Sequence, residues 1–296
     1  TTWKVKSKEV GTYANTPDLT YTDEVKGKAI YADLGKGKIA HGDITLYVNG
    51  LDKTDDLDSK FELTKDCSKK VGGKGTLTEV YFQEAKNANE DDSVIIVEIE
   101  TYLAQATSDY DKDDEELSIE FKASGAPSVD TTLSLDDLSN LADFEDEDYV
   151  LVTIAAEDKD KASTQYVESI VKAEKVPATV TSYTVDDSVT AGGTKYSFNA
   201  AAYYDKDVLK QYTNGTVTNL KDTTYNVYLD QYGYVIGVDV VDKVNNYVFI
   251  TGVDDASSNL STKTWDANAI FMDGTSAVIE VKNDGTLTKD GTIINQ

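Results

Sequence analysis

The chain has 296 residues, with 54 acidic residues against 28 lysines, no arginine and a formal net charge of −26. Such a charge repels nucleic-acid phosphates and anionic lipid, and without arginine there is no bidentate group for phosphate or guanine. A single histidine, His41, and a single cysteine, Cys67, provide neither a zinc site of His and Cys ligands nor an internal disulfide.

Apolar residues make up 40% of the chain, which is enough to fill the cores of folded domains. The length suits two or three domains. The sequence begins with TTWKVK and lacks an initial Met, so we expect a processed piece of a longer chain. It contains no run of about 18 apolar residues, and we therefore expect no membrane span.

Short runs rich in Val, Ile, Thr and Tyr occupy the first half of the chain. This composition and a period of two are typical of half-buried strands. We predict strands over 29–34, 43–49, 75–83, 93–107, 116–123 and 148–157.

Helical patterns are scarce. The stretch SLDDLSNLA, residues 134–142, pairs Ser134 with Asp137 in a capping-box pattern and places three leucines at helical spacing. We predict a short helix there and a second near 205–212. Neither is long enough to organise a domain.

The second half of the chain again has strand patterns, at 178–185, 194–200 and 246–254. Residues 224–243, TYNVYLDQYGYVIGVDVVDK, alternate apolar and polar residues on both sides of a turn at DQYG. This pattern predicts a hairpin. One face of its first strand carries Tyr225, Val227 and Leu229, and one face of its second strand carries Tyr234, Ile236, Val238 and Val240. Near the end, three Asp-Gly pairs at 273–274, 284–285 and 290–291 are typical of short hairpin turns.

The order of these patterns recurs along the chain. DYVLVT at 148–153 is echoed by NYVFIT at 246–251, and residues 11–32 and 180–200 share an order of strands and turns. We interpret this as two kinds of small β module in alternation. The predicted boundaries are 1–92 and 177–245 for the first kind, and 93–176 and 246–296 for the second, the last copy being incomplete. The fold class is therefore all-β, as tandem small β-barrel or β-sandwich modules with little helix.

Four phrases in the sequence carry a resemblance to a known family: VEIETYLAQAT, EDEDYVLVTIA, TTYNVYLDQYGYVIGVDVVDK and FMDGTSAVIEV. They resemble the β-rich region outside the anchoring repeats of S-layer-homology surface proteins of Gram-positive bacteria, over most of 75–296. The resemblance implies a secreted cell-surface protein, associated with the cell wall, in a structural or adhesive role. The anchoring repeats of that family are not visible in this sequence.

An acidic loop, DYDKDDEELSIE at 109–120, has the spacing of a calcium-binding loop. Asp109, Asp111 and Asp113 alternate, and Glu120 is the twelfth residue. The sixth position holds Asp114, where such loops need Gly, and ELSIEF favours a strand. The alternatives are calcium ligation by Asp109, Asp111 and Asp113, or a solvated acidic turn.

The other candidate features have similar alternatives. The acidic run DFEDEDY at 143–149 is either a solvated loop or a contributor to a calcium site between modules. The 19 tyrosines suit strand packing, interfaces or sugar-binding surfaces, with Tyr203–Tyr204 and Tyr232–Tyr234 as possible exposed pairs.

The sequence contains no GxSxG nucleophile motif and no nucleophile beside His41, and we expect no enzymatic activity. The favoured function is that of a non-catalytic structural module of an extracellular S-layer-like protein, acting through self-association or through other surface proteins. The first alternative is an adhesin or carbohydrate-binding segment that binds glycans. The second alternative is an accessory region of a glycoside hydrolase. Catalysis by such a hydrolase needs only two carboxylates at a suitable separation.

Overall fold

The structure is a computed structural model. It describes residues 16–184, 187–204, 224–240, 248–253, 257–259, 262–271, 276–282, 286–287 and 293–294. The chain forms two compact units, Thr1–Val241 and Asp242–Gln296. The described residues are mostly β, in several sheets and one closed barrel, so the all-β prediction is confirmed. No helix among them is both long and apolar enough to cross a membrane.

The first module, residues 16–99, is a five-stranded mixed sheet in the order β1-β6-β7-β3-β4. One face carries an apolar core with Ile30, Phe61 and Leu63, and the helix and loops cover it. Its elements are β1 (Leu19–Tyr21), β2 (Val25–Lys26), α1 (Gly27–Leu34), β3 (Ile44–Val48), β4 (Leu51–Asp52), β5 (Lys70–Val71), β6 (Leu77–Gln83) and β7 (Ser93–Ile99), with 3-10 turns at His41–Asp43 and Thr54–Asp56.

The second module, residues 101–172, is a five-stranded antiparallel sheet in the order β10-β9-β8-β11-β12. Leu117, Leu141 and Ile154 are fully buried in its core. Its elements are β8 (Thr101–Ala106), β9 (Glu116–Phe121), β10 (Thr132–Ser134), β11 (Tyr149–Ala156) and β12 (Gln165–Lys172), with 3-10 turns at Leu141–Asp143 and Ala162–Thr164.

The barrel, residues 174–240, closes in the order β13-β14-β15-β17-β16 around a core with Val180, Phe198 and Val227. The pairs β13–β16 and β16–β17 are antiparallel, whereas β15 and β17 are parallel. The first module repeats this arrangement, because β1-β6-β7-β3 has the same order and directions as β13-β16-β17-β15. The barrel strands are β13 (Glu174–Thr184), β14 (Ser188–Ala191), β15 (Thr194–Tyr204), β16 (Thr224–Leu229) and β17 (Val235–Val240).

The second compact unit contains an antiparallel sheet, the C-terminal sheet, in which β20 pairs with β18, β19 and β21. Residues 272–275, with the Asp-Gly pair 273–274, lie outside the described residues, but β20 and β21 on either side of them pair antiparallel. The Asp-Gly pairs at 284–285 and 290–291 also lie outside. The strands are β18 (Val248–Val253), β19 (Ser257–Asn259), β20 (Thr262–Phe271), β21 (Ser276–Lys282), β22 (Thr286–Leu287) and β23 (Ile293–Ile294), the last two forming a small sheet of their own.

Residues 93–107, expected to form one strand, form two that belong to different sheets. β7 pairs with β6 and β3 of the first module, and after Glu100 the chain enters β8 of the second. The first sheet therefore ends at Ile99 and not at the expected boundary of residue 92. Similarly, the barrel begins at Glu174, before the expected boundary at 177, because β13 pairs with β16 from that residue.

Two local predictions are wrong. Residues 29–34 are helical, not extended: Ile30, which is fully buried, and Leu34, which is half-buried, lie one turn apart on α1, and Gly35 ends the helix at a φ of 63°. Conversely, 134–142 form no α-helix. Ser134 ends β10 and its carbonyl accepts hydrogen bonds from Asp137 N and Leu138 N, which makes a turn. The predicted helix near 205–212 lies outside the described residues.

Candidate functional site: the joints between the β modules

The hairpin of β16 and β17 forms as expected, but its faces differ from the expected pattern. A bulge between Tyr228 and Leu229 places Val235 opposite Leu229, so that both join the barrel core. Tyr228 and Ile236 point the other way. Both faces of this hairpin are therefore buried, and the second one forms a joint with the second module.

In this joint, Tyr228 and Ile236 pack against Leu103, Leu151 and Ala173. The Tyr228 ring stacks on that of Tyr149, with centroids 4.1 Å apart. At Gly237 a Cβ would overlap the Leu103 side chain. Leu103 is 2% exposed and Ile236 is fully buried, so this is a close-packed apolar interface.

The tyrosine hydroxyls sit at the rim of the same joint. Tyr149 donates from its hydroxyl to Asp239 Oδ2 at 3.2 Å. Burial, together with the Asp239 charge, raises the pKa of Tyr149 to about 12. Burial also raises the pKa of Tyr228. Both phenols therefore stay protonated well above physiological pH.

The DQYG turn joins the barrel to the first module. Asp230 Oδ1 accepts hydrogen bonds from Tyr232 N at 2.8 Å and Tyr234 N at 2.9 Å, and its Oδ2 accepts one from Asn199 Nδ2 at 2.7 Å. Asn199 Oδ1 accepts from Ala201 N at 2.7 Å, which fixes the orientation of the amide. Burial is the largest influence on Asp230 and raises the pKa of its carboxyl.

The first module contributes the loop GGKG, residues 72–75, to this joint. The carbonyl of Lys74 accepts a hydrogen bond from Ala200 N at 2.8 Å, and its ammonium lies 3.3 Å from Asp187. Gly75 has a φ of 78°, and a Cβ there would overlap Asn199 and Asp230. The glycine is required because the two modules approach each other through its backbone.

A buried polar network joins the first and second modules. Asn49 donates from Nδ2 to Glu100 Oε2 at 2.7 Å and to the Tyr102 hydroxyl at 3.0 Å, while its Oδ1 accepts from Glu100 N at 3.0 Å. The Tyr102 hydroxyl also donates to Glu100. Gln165 Nε2 donates to the carbonyl of Asn49 at 3.1 Å. The side-chain amide and the backbone carbonyl of Asn49 thus bond to residues at or beyond the point where the chain changes sheets.

The joint residues of the first module carry a signal that the sequence-based predictions missed. Asn49 and Gly50 have φ values of 47° and 86° and connect β3 to β4 as a two-residue hairpin turn. Asn-Gly between two apolar runs is a strong hairpin signal. It predicts the turn, but not that the Asn49 side chain would contact a residue 51 positions later.

Glu98 is a half-buried carboxylate near this joint. Its Oε1 accepts a hydrogen bond from Gly72 N at 2.6 Å. Burial raises the pKa of the Glu98 carboxyl, the Gly72 N–H opposes the shift, and the nearby Glu100 charge adds to it. The hydrogen bond from the glycine-rich loop gives Glu98 a structural partner.

The three residues of the predicted calcium site are exposed and lie in a turn. Asp111 Oδ1 accepts from Asp113 N at 2.8 Å and Asp114 N at 3.2 Å, and Asp109 Oδ1 accepts from Asp146 N at 3.0 Å. Glu120, the twelfth residue, is on β9 and pairs with Lys122 at 2.6 Å. Across the described residues, no group of three or more His, Cys, Asp or Glu side chains is placed to hold a metal ion. Calcium binding here stays a prediction.

The acidic run at 143–149 contacts the calcium-like loop through the Asp109–Asp146 hydrogen bond. Asp148 carries an ion pair with Lys172 at 2.7 Å. Desolvation opposes ionisation of Asp148, but the hydrogen bonds from Lys172 and from Glu145 N outweigh it and lower the pKa. This run is therefore partly neutralised by a lysine on β12.

The remaining candidates have packing roles. Cys67 is buried, and its Sγ donates to the Lys60 carbonyl at 3.7 Å. His41 Nδ1 lies 3.1 Å from the Phe61 carbonyl. Tyr232 and Tyr234 are half-buried. Tyr232 interacts with Glu79 of the first module and Tyr234 with Asp23 of the first module, so both belong to the joint between the barrel and the first module. Tyr203 is exposed.

A polar groove of ≈ 320 Å³ lies on the second module, between β10, β12 and the Ala162–Thr164 turn. Its lining combines carboxylates, hydroxyls and one aromatic ring. The residues that line it include Asp130, Thr132, Ser134, Asp137, Glu157, Ser163, Thr164, Gln165 and Tyr166. This composition can hydrogen-bond a polyol.

Comparison with known proteins gives no relationship: no family model, no curated protein and no solved structure matches the chain.

Proposed function

We propose that the chain is a non-catalytic structural region of a secreted, bacterial cell-surface protein of the S-layer type, and that it acts through self-association. The observation that carries the proposal is that every pair among the first module, the second module and the barrel shares a joint of specific side-chain contacts. Asn49, Gly75 and Tyr228 each reach into a neighbouring module. Modules held in this way resist relative motion, which suits a load-transmitting surface protein.

Charge and composition support the same proposal. A net charge of −26 favours a solvated exterior, and buried Asp230 and half-buried Glu98 both accept hydrogen bonds from backbone N–H groups. Those hydrogen bonds hold turns and loops in position. The carboxylates therefore support the joints.

Sedimentation velocity of the purified chain over a wide concentration range tests this function. We expect the average mass to rise with concentration, more steeply at higher salt because screening weakens the repulsion between acidic copies. A chain that stays monomeric up to its solubility limit would contradict the self-association proposal.

A second candidate function is carbohydrate binding, which the polar groove on the second module favours. Tyr166 offers a ring for stacking, and Asp130 and Asp137 offer hydrogen-bond acceptors at its edges. A glycan array with the wild type and Tyr166→Ala separates the two functions. Binding that Tyr166→Ala abolishes would favour the carbohydrate-binding segment.

A further inference from the structure

The turn between β3 and β4 packs against the second module through both of its residues. Asn49 is 3% exposed, and its side-chain amide donates to Glu100 at 2.7 Å and to the Tyr102 hydroxyl at 3.0 Å. A Cβ on Gly50 would lie 2.3 Å from the backbone nitrogen of Ala156, the last residue of β11. The closed joint therefore requires glycine at position 50 and fixes the Asn49 amide by hydrogen bonds.

An asparagine that precedes glycine is chemically labile. The backbone nitrogen of Gly50, after it gives its proton to a base in the solvent, can attack Cγ of Asn49, because glycine has no side chain to obstruct the approach. A bond forms between that nitrogen and Cγ, the Cγ–Nδ2 bond breaks, and the amide nitrogen takes up a proton and leaves as ammonia. Water then opens the five-membered ring at either carbonyl, which produces aspartate or isoaspartate. The net reaction consumes water and releases ammonia.

The closed joint opposes this reaction. Cγ of Asn49 must approach the nitrogen of Gly50, so the side chain must first leave its partners. Those partners are Glu100 and Tyr102, which accept from Nδ2, and the Glu100 N–H, which donates to Oδ1 at 3.0 Å. Burial of Asn49 also excludes the base and the water. The reaction therefore requires a local opening of the joint.

The product would keep the joint open. A carboxylate would then face Glu100 Oε2 at the place where the amide donates, and two carboxylates in contact repel each other. We propose that Asn49–Gly50 is a site of covalent self-modification. The closed joint between the first and second modules suppresses hydrolysis of the Asn49 amide, whereas opening permits it, and the carboxylate produced makes the opening permanent. This inference does not depend on self-association of the chain.

The test incubates the whole chain at mildly alkaline pH, in buffer and in guanidinium chloride. Mass spectrometry of the peptide with Asn49 follows the replacement of NH2 by OH. In the denaturant, the other Asn-Gly pair of the sequence, Asn214–Gly215, gives the rate for an unfolded pair. We expect Asn49 to match that rate in denaturant and to react about a hundredfold more slowly in buffer, because a buried unit opens rarely. Equal rates in the two solutions would overturn the proposal.

Tyr102→Phe tests the role of the joint. It removes the hydroxyl that accepts from Asn49 and donates to Glu100, and keeps the ring in the core. Hydrolysis in buffer should be about twofold to tenfold faster, the factor that one lost hydrogen bond contributes. Tyr21→Phe is the matched control, because its hydroxyl donates to Asp33 at 2.8 Å, away from the joint. Circular dichroism confirms folding. Acceleration by both variants equally, or by neither, would show that the joint does not protect Asn49.

Asn49→Asp produces the modified side chain directly. We expect it to lower the unfolding temperature, because the carboxylate faces Glu100 in the joint. Asn89→Asp adds the same charge at an exposed position of the first module and should leave the unfolding temperature nearly unchanged. Equal unfolding temperatures for the two variants would show that the joint closes over the new carboxylate, and would overturn the permanence of the opening.

Discussion

At the scale of single residues, two glycines with similar backbones have different roles. Gly75 and Gly233 both adopt left-handed φ values, 78° and 83°. A Cβ at Gly75 would overlap Asn199 and Asp230, whereas nothing lies within 4 Å of a Cβ at Gly233. Gly233 is needed only for the turn, while Gly75 is needed for the turn and for the approach of two modules.

We therefore predict that Gly75→Ala destabilises the protein much more than Gly233→Ala. The left-handed conformation costs either alanine about 1–2 kcal/mol. At Gly75 the overlap with the Asn199–Asp230 pair adds about 1–3 kcal/mol, the usual cost of overpacking. Chemical denaturation of both variants measures the difference. Equal losses of stability would mean that the joint at Gly75 relaxes freely and is not close-packed.

At the scale of elements, alternation in the sequence predicts strands well and their partners poorly. The hairpin at 224–243 was predictable because Asp230 and Gly233 mark the turn. The bulge at Tyr228 was not, because it depends on both faces being buried. A strand that is buried on both faces has no polar residues at alternate positions, so its sequence does not show which residues face which side.

Two other errors at this scale also come from tertiary packing that the local sequence does not show. Residues 93–107 are mostly apolar, and nothing in that run shows that Glu100 is where the chain passes from one sheet to the next. The Leu stripe of 134–142 predicted a helix, yet Leu138 and Leu141 are buried from a turn and a 3-10 segment. The leucines are buried without a helix because tertiary packing, and not local spacing, decided the backbone.

The candidate site was the least predictable part. Asn49, Glu100 and Tyr102 form one network, but the contact between Asn49 and Tyr102 spans 53 residues. No local pattern encodes such a contact. The acidic stretches for which calcium binding was predicted, such as 109–116, are in exposed turns.

The stacked pair Tyr149–Tyr228 provides a prediction for the joint between the second module and the barrel. We expect a double-mutant cycle with Tyr149→Leu and Tyr228→Leu to give a coupling energy of about 0.5–1.5 kcal/mol, the usual range for aromatic pairs. Denaturation of the wild type, both single variants and the double variant measures it.

The control cycle combines Tyr149→Leu with Tyr183→Leu. Tyr183 packs edge-to-face on Phe198 within the barrel, and neither residue belongs to the cluster around Tyr149. This cycle should give additive losses within about 0.5 kcal/mol. Additivity in the Tyr149–Tyr228 cycle as well would show that the two rings contribute independently and that the stacking does not hold the joint.

At the scale of the whole molecule, the charge opposes compaction. The 54 acidic residues exceed the 28 lysines nearly two to one, and most of the ion pairs are exposed, as Lys65–Asp66 is. Exposed pairs contribute little to stability. The compact state therefore depends on the apolar cores and joints, while the surplus charge repels itself.

Sodium chloride should accordingly raise the unfolding temperature. Raising the ionic strength from about 0.01 M to about 0.1 M shortens the screening length from about 30 Å to about 10 Å. Each kcal/mol of relieved repulsion should raise the unfolding temperature by about 2–4 °C for a unit of this size. Calcium chloride at matched ionic strength then separates screening from binding, since a bound ion stabilises the folded state further.

The calcium site predicted at Asp109, Asp111 and Asp113 leads to a more specific prediction. If these residues bind calcium, it should stabilise the wild type more than sodium does, and Asp111→Asn should remove that surplus. The asparagine keeps an Oδ1 to accept from Asp113 N and Asp114 N, so the turn survives while a charged ligand is lost. Asp114→Asn removes the same charge from an exposed neighbour outside the predicted ligand set, and the surplus should persist. Equal stabilisation of the wild type by the two salts would show that this loop is a solvated turn, with Asp111 capping its backbone.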